Sequence, residues 1–176
     1  MHSPAGILFV VGDKLIFPYS GCSGTAPDGR KGMYAGQSIG LAMLRRDGFA
    51  SMDAGTKPGV LTTRPVTFQG EHLFVNMNAS SGELRVEALD ETGRGRVSAT
   101  SEPVSGDCTQ QLIQWKGAPS LAKLGGKPVR FRFHLTKGQL YAFWVTPDAK
   151  GASFGYLGGG SPGSAGVRDE PLPAKP

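Results

Sequence analysis

A strict alternation of apolar and polar side chains constrains this chain more than any other feature. Val129, Phe131, Phe133 and Leu135 alternate with Arg130, Arg132 and His134. That is the period of two expected of a strand with one buried face. Lys137-Gly138 follows, a dipeptide suited to a tight turn that needs positive φ. Beyond it, Leu140, Ala142 and Trp144 alternate with Tyr141, Phe143 and Val145. A β-hairpin centred on Lys137-Gly138 pairs Leu135 with Leu140, Phe133 with Ala142 and Phe131 with Trp144. Those residues make one apolar face. The same register sets His134 opposite Tyr141, Arg132 opposite Phe143 and Arg130 opposite Val145, so the other face carries basic and aromatic groups side by side.

The rest of the chain continues in the same style. Ile7–Val11 and Lys14–Tyr19 are short apolar segments joined by Gly12-Asp13, a hairpin signal. Ser20–Ala35 reads as a loop, Gln37–Leu44 as a strand, and Arg45–Gly48 as a turn. From Gly59 onward strands recur at even spacing: Val60–Thr67, with Pro65 marking an edge or bulge, then His72–Asn76, Leu84–Leu89 and Cys108–Trp115. Asn78–Gly82 and Asp90–Gly95 read as turns between them, and Ala118–Leu124 as at most a helical turn. Arg96–Ser105 is ambiguous, and Pro103 argues against a central strand there. Gly155–Gly166 and the Pro-rich end read as linker or tail. The fold class is all-β, an antiparallel sandwich of jelly-roll type preceded by a short hairpin. Its expected core is Leu84, Val86, Phe131, Phe133, Leu140 and Trp144, with Trp115 also inside.

Charge and length exclude several functions. The net charge of +5 comes from 19 basic residues scattered among 14 acidic ones, not from the stripe that nucleic acid requires. No run reaches the roughly 18 to 20 apolar residues of a membrane span, and the start lacks the basic and apolar blocks of a signal peptide. Cys22 and Cys108 match no metal spacing, and the sequence leaves open whether they pair. His2, His72 and His134 are too dispersed for a metal site. A structural calcium under the Asp90-Glu91 or Asp148 turns is the one metal left open.

Two phrases carry a resemblance. Leu44–Ala54, LRRDGFASMDA, and Gly59–Val66, GVLTTRPV, resemble the junction segments of family 32-like glycosyl hydrolases of the invertase and levanase type. Gly82–Glu87, Trp115–Gly117 and Gly126–Phe133 extend the similarity, which spans roughly residues 6 to 160. The resemblance implies three parts. Residues 1–54 are the last strands of a five-bladed propeller and its crossover, residues 55–150 the C-terminal β-sandwich, and residues 151–176 a linker or tail. It also implies a secreted setting and a catalytic propeller domain as partner. The catalytic carboxylates of that family have no counterpart positions here, so its activity does not carry over and the expected role is ancillary. A small free-standing polysaccharide-active enzyme using carboxylates of the sandwich, or a purely structural interaction domain, is the alternative.

The residues themselves suggest a binding surface. Sugars are held by aromatic rings under their apolar faces and by Arg, His, Asn or Gln at their hydroxyls. Arg130, Arg132, His134, Tyr141 and Phe143 supply those groups on one face of the expected hairpin, making a polysaccharide or oligosaccharide the expected ligand. Packing of that face on another domain is the alternative, since an exposed Phe usually has a partner. A glycosidase instead needs two carboxylates at short range. The candidates are Asp47, Asp53, Glu71, Glu83, Glu87, Asp90, Glu91 and Asp107. Glu87 reads as a surface partner of Arg85, and the turn residues as servants of backbone geometry. Gly36–Gly40 spells G-x-S-x-G, but it enters a strand and not a helix. Finally, Ile7–Tyr19 carries too many apolar groups for an orphan hairpin. It should lie on the sandwich or pair with a second copy of the chain.

Overall fold

The computed structural model describes the chain apart from residues 1, 5, 94–96, 118–120, 163, 165 and 172–176. It is all-β and antiparallel, as expected, with a barrel-like sandwich. The chain forms two compact units. One comprises residues 1–46 and 154–176, the other residues 47–153.

The first unit is a small sheet. Strands β1 (His2–Pro4) and β2 (Phe9–Val11) both pair with β3 (Lys14–Cys22), and β4 (Gln37–Arg45) lines the opposite edge of β3. Gly12 turns β2 into β3 with φ of 59°, as the Gly12-Asp13 signal predicts. One face of the sheet is covered by an element that the sequence disguises. Leu157 is buried with Val10 and Leu15, and Leu8, Phe17 and Leu44 pack around them. The Gly159 amide donates to the Leu8 carbonyl at 2.7 Å, and Val10 returns a bond to Gly160 at 3.0 Å. Arg46 meets Asp169 at 2.9 Å, both side chains half-buried. The segment read as linker is therefore part of this sheet's core. Leu157 gives the N-terminal hairpin a partner that the sequence reading did not foresee.

The second unit is organised around β7 (His72–Asp90), 19 residues long. The sequence reads it as two strands with a turn at Asn78–Gly82. The structure corrects this, for the strand bends through that segment without reversing. Core residues switch parity across the bend, from Leu73, Val75, Met77 and Ala79 to Leu84, Val86 and Ala88. The bend needs Gly82, because a Cβ there would lie 1.7 Å from the Thr136 carbonyl oxygen.

The expected hairpin is corrected in the same way. Strand β10 (Val129–Thr136) pairs with the second half of β7, Val129 against Asp90 through Thr136 against Glu83. Strand β11 (Gly138–Thr146) continues along the first half, from Gln139 against Asn78 to Thr146 against His72. The chain thus passes Lys137-Gly138 without turning back. Lys137 does hold the positive φ expected of it, 46°, but it makes a corner. On the other side of β7, β8 (Val97–Thr100) and β9 (Val104–Leu112) run past the same bend. Beyond β10 and β11 lie β6 (Gly59–Thr62) and β5 (Met52–Ala54). A single 3-10 turn, Ala122–Leu124, precedes β10; residues 118–120 of the expected helical turn lie outside the described residues.

Bending brings the two halves of the sheet face to face over one core. Phe143 of β11 lies 5.1 Å from Phe133 and 5.9 Å from Phe131 of β10, ring centre to ring centre. Phe131, Phe133, Leu84, Val86, Leu140 and Trp115 are buried as expected. Trp144 is not on that face. The register slips by one residue between Leu140 and Ala142, a bulge that reverses which side chains face inward. Phe143 and Val145 therefore pack on the core in place of Ala142 and Trp144. Trp144 stacks on Phe74 on the other face at 5.6 Å and donates to the Gly151 carbonyl at 3.0 Å.

Candidate functional site

The five residues expected to share one binding face are divided by the bulge. Arg130, Arg132 and His134 do project from one side of β10, each half-buried between core residues. Their polar ends are engaged by the protein itself. Arg130 donates to the carbonyls of Glu91 and Thr63, each at 2.7 Å. Arg132 reaches the Gly93 carbonyl at 3.0 Å and the Glu87 carboxylate at 3.4 Å. His134 places its buried Nε2 3.1 Å from Glu87 without the direction of a hydrogen bond, so this is an ion pair when the imidazole is protonated. The partner expected for Glu87, Arg85, is instead held by Glu83 at 3.0 Å. Phe143 lies on the opposite side of the sheet, in the core.

This basic cluster is a clamp. It fastens β10 to the turn after β7, where Asp90 accepts bonds from the amides of Thr92 and Gly93. Glu87→Ala should lower stability by about 1 kcal/mol, the scale of a partly exposed ion pair. It should leave any ligand affinity unchanged. Urea unfolding beside a binding assay checks both halves.

Tyr141 goes elsewhere. Its hydroxyl donates to Gln139 Oε1 at 2.8 Å, and Gln139 Nε2 points to Asp53 at 3.5 Å. Ser51 also donates to that Asp53 oxygen, at 2.6 Å. This relay orients two side chains that line an open cleft of about 390 Å³ at the corner of the sheet. Its walls are Asp53 and Ala54 from β5, Asn78, Ser80 and Ser81 from the bend of β7, and Lys137, Gly138 and Gln139 from the β10–β11 corner. Asn78 is itself oriented, accepting from the Ser80 amide at 3.2 Å and hydroxyl at 2.9 Å. The cleft thus offers a carboxylate, two amides, two hydroxyls and an ammonium group within one concavity.

On its other side, Asp53-Ala54 also borders a smaller apolar pit of about 120 Å³. Leu61, Phe133, Leu135 and Leu140 form its walls, with Met52, Gly59 and Val60 completing the lining. In the sequence Asp53 stands out only as a carboxylate, and Gln139 carries no signal. Asn78, Ser80 and Ser81 form a run of small polar residues, which looks like any turn until a bent strand carries it.

The chain matches no family model, no curated protein and no solved structure.

Asp53 is the one carboxylate among the described residues that line the cleft. Among the described residues no group of three or more His, Cys, Asp or Glu could hold a metal ion. Asp148, one of the turns considered for calcium, accepts the Ala152 amide at 2.8 Å. Ser38 of the G-x-S-x-G string lies within β4, its hydroxyl toward the Gly21 carbonyl. Cys22 and Cys108 are not joined by a disulfide.

Proposed function

We propose that the chain is a non-catalytic, glycan-binding ancillary module of a polysaccharide-degrading protein, and that the corner cleft is where it binds. The observation that carries this reading is the lining of the cleft. Asp53, Asn78, Ser80, Ser81 and Gln139 bring carboxylate, amide and hydroxyl groups into one concavity, the donors and acceptors that meet sugar hydroxyls. Several are oriented in advance by bonds to one another, which lowers the ordering cost of binding. Tyr141 adds an aromatic group tied to this set, its hydroxyl donating to Gln139.

The first unit supports the accompanying proposal of a propeller-blade origin. On β4, Ile39, Leu41 and Met43 are exposed by 82%, 57% and 63%. By register they share a face with Ile16 and Pro18. An up-and-down antiparallel sheet with an apolar outer face is what a blade presents to its neighbour.

Affinity electrophoresis through fructan, xylan and β-glucan gels tests the binding reading. At least one gel should retard the chain. Asp53→Ala and Asn78→Ala should each weaken retention about tenfold, the worth of a hydrogen bond to a charged or well-oriented group. Their melting temperatures should be nearly unchanged, because both residues line open space. Free migration of the wild-type chain in every gel would end the proposal.

A further inference from the structure

The apolar pit beside the cleft has a size and a lining that specify an occupant. Cavities of about 150 Å³ walled by Leu, Ile and Phe exclude water and take up benzene. The pit, at about 120 Å³, is walled by Leu61, Phe133, Leu135 and Leu140. A sugar ring cannot be that occupant, because its hydroxyls would be buried against aliphatic carbon without partners, at a cost of kilocalories each. Met52, exposed by 57%, also lines the pit and pairs with Leu140 on the core face. Its side chain would cover the edge of a ring that projected from the pit. Asp53 and Ala54 border the pit on one side and the polar cleft on the other.

We infer that the pit is an aryl-binding subsite, and that the ligand of this corner is a saccharide carrying an aromatic substituent, as an aryl glycoside or an aromatic acyl ester. The ring enters between β5 and β6 while the sugar hydroxyls lie across Asp53 in the cleft. The inference rests on the glycan reading for its second half only. The pit's own chemistry is independent of it.

Two measurements separate the halves. Phenol alone, titrated against chain labelled at its methyl groups, should shift the NMR signals of Met52, Leu61, Leu135 and Leu140 saturably. Phenyl glycosides of glucose, xylose and fructose, compared with their methyl glycosides, should include at least one pair in which the phenyl form binds about tenfold more tightly. Gly59→Ala closes the pit from inside, since its added Cβ would sit 3.1 Å from the Ala54 Cβ and 3.8 Å from the Leu135 carbonyl oxygen. It should abolish the phenol shifts and the phenyl advantage but spare methyl-glycoside binding. Met52→Ala, at the exposed mouth, should weaken phenol binding without affecting folding and serves if Gly59→Ala proves unstable. Phenol binding with no glycoside or polysaccharide bound would uphold the subsite and defeat the glycan reading. Equal binding of phenyl and methyl forms, or phenol shifts absent from these four residues, would overturn the inference while leaving the cleft reading intact.

Discussion

Gly82→Ala is expected to unfold the second unit, or to cost about 4 kcal/mol or more if the unit survives. The added carbon would fall 1.7 Å from the oxygen and 2.7 Å from the carbon of the Thr136 carbonyl, and 2.9 Å from the Lys137 oxygen. All three are backbone atoms of the corner where β10 becomes β11. No rotamer change can relieve the collision, so one of two strands must leave its ladder. Gly55→Ala is the control, because nothing lies within 4 Å of its added Cβ and its φ is not positive. Both tryptophans, Trp115 and Trp144, belong to this unit, so urea unfolding followed by their fluorescence reports on it directly. A Gly82→Ala midpoint close to that of Gly55→Ala would mean that β7 does not pass the β10–β11 corner as closely as described.

The second large effect concerns two neighbours separated by the bulge. Phe143→Ala should destabilise the second unit by about 3 kcal/mol, the lower end for truncating a core Phe, since the ring is only partly buried. The ring bridges the two halves of the bent sheet through Phe131 and Phe133, so its loss leaves a gap that neither half can close alone. Tyr141→Ala should cost less stability and should weaken binding in the cleft, because it releases Gln139 from its orienting bond. Thermal melts and affinity electrophoresis on both variants measure the two partitions. If Phe143→Ala kept the wild-type melting temperature but lost retention, the bulge would be misplaced and Phe143 would belong to the binding face after all.

The sequence made some of this architecture legible and concealed the rest for identifiable reasons. The alternation of Val129 to Leu135 fixes which side of β10 is buried, because four apolar residues at period two admit one assignment. The same logic fails six residues later. A bulge adds one residue at Tyr141 with no glycine to announce it, and every assignment from Ala142 to Val145 inverts. Asn78–Gly82 and Lys137-Gly138 carry turn chemistry, yet turn chemistry supplies only permissive dihedrals. Whether the chain reverses or rounds a corner depends on what lies alongside, here each other. Three of the five expected site residues, Arg130, Arg132 and His134, were placed on the correct face but with no view of the carbonyls and carboxylate that occupy them. Asp53 could not be joined to Asn78 and Gln139 by spacing, since three separate segments meet at the cleft. The tail misled by composition. Its glycines suit a linker, but a Cβ at Gly158 or Gly159 would crowd Leu8.

The first unit draws its residues from both sides of the second in sequence, from 1–46 and from 154–176. That arrangement imposes an order on synthesis. Chains emerge from the N-terminal side and domains fold as units as they become complete. Residues 47–153 are all present before Leu157, Gly159 and Asp169 have been made, so the second unit can reach its native state first. The strands of the first unit must meanwhile wait with Val10 and Leu15 uncovered. During that interval the apolar groups of these strands are open to chaperones, proteases and unwanted strand pairing.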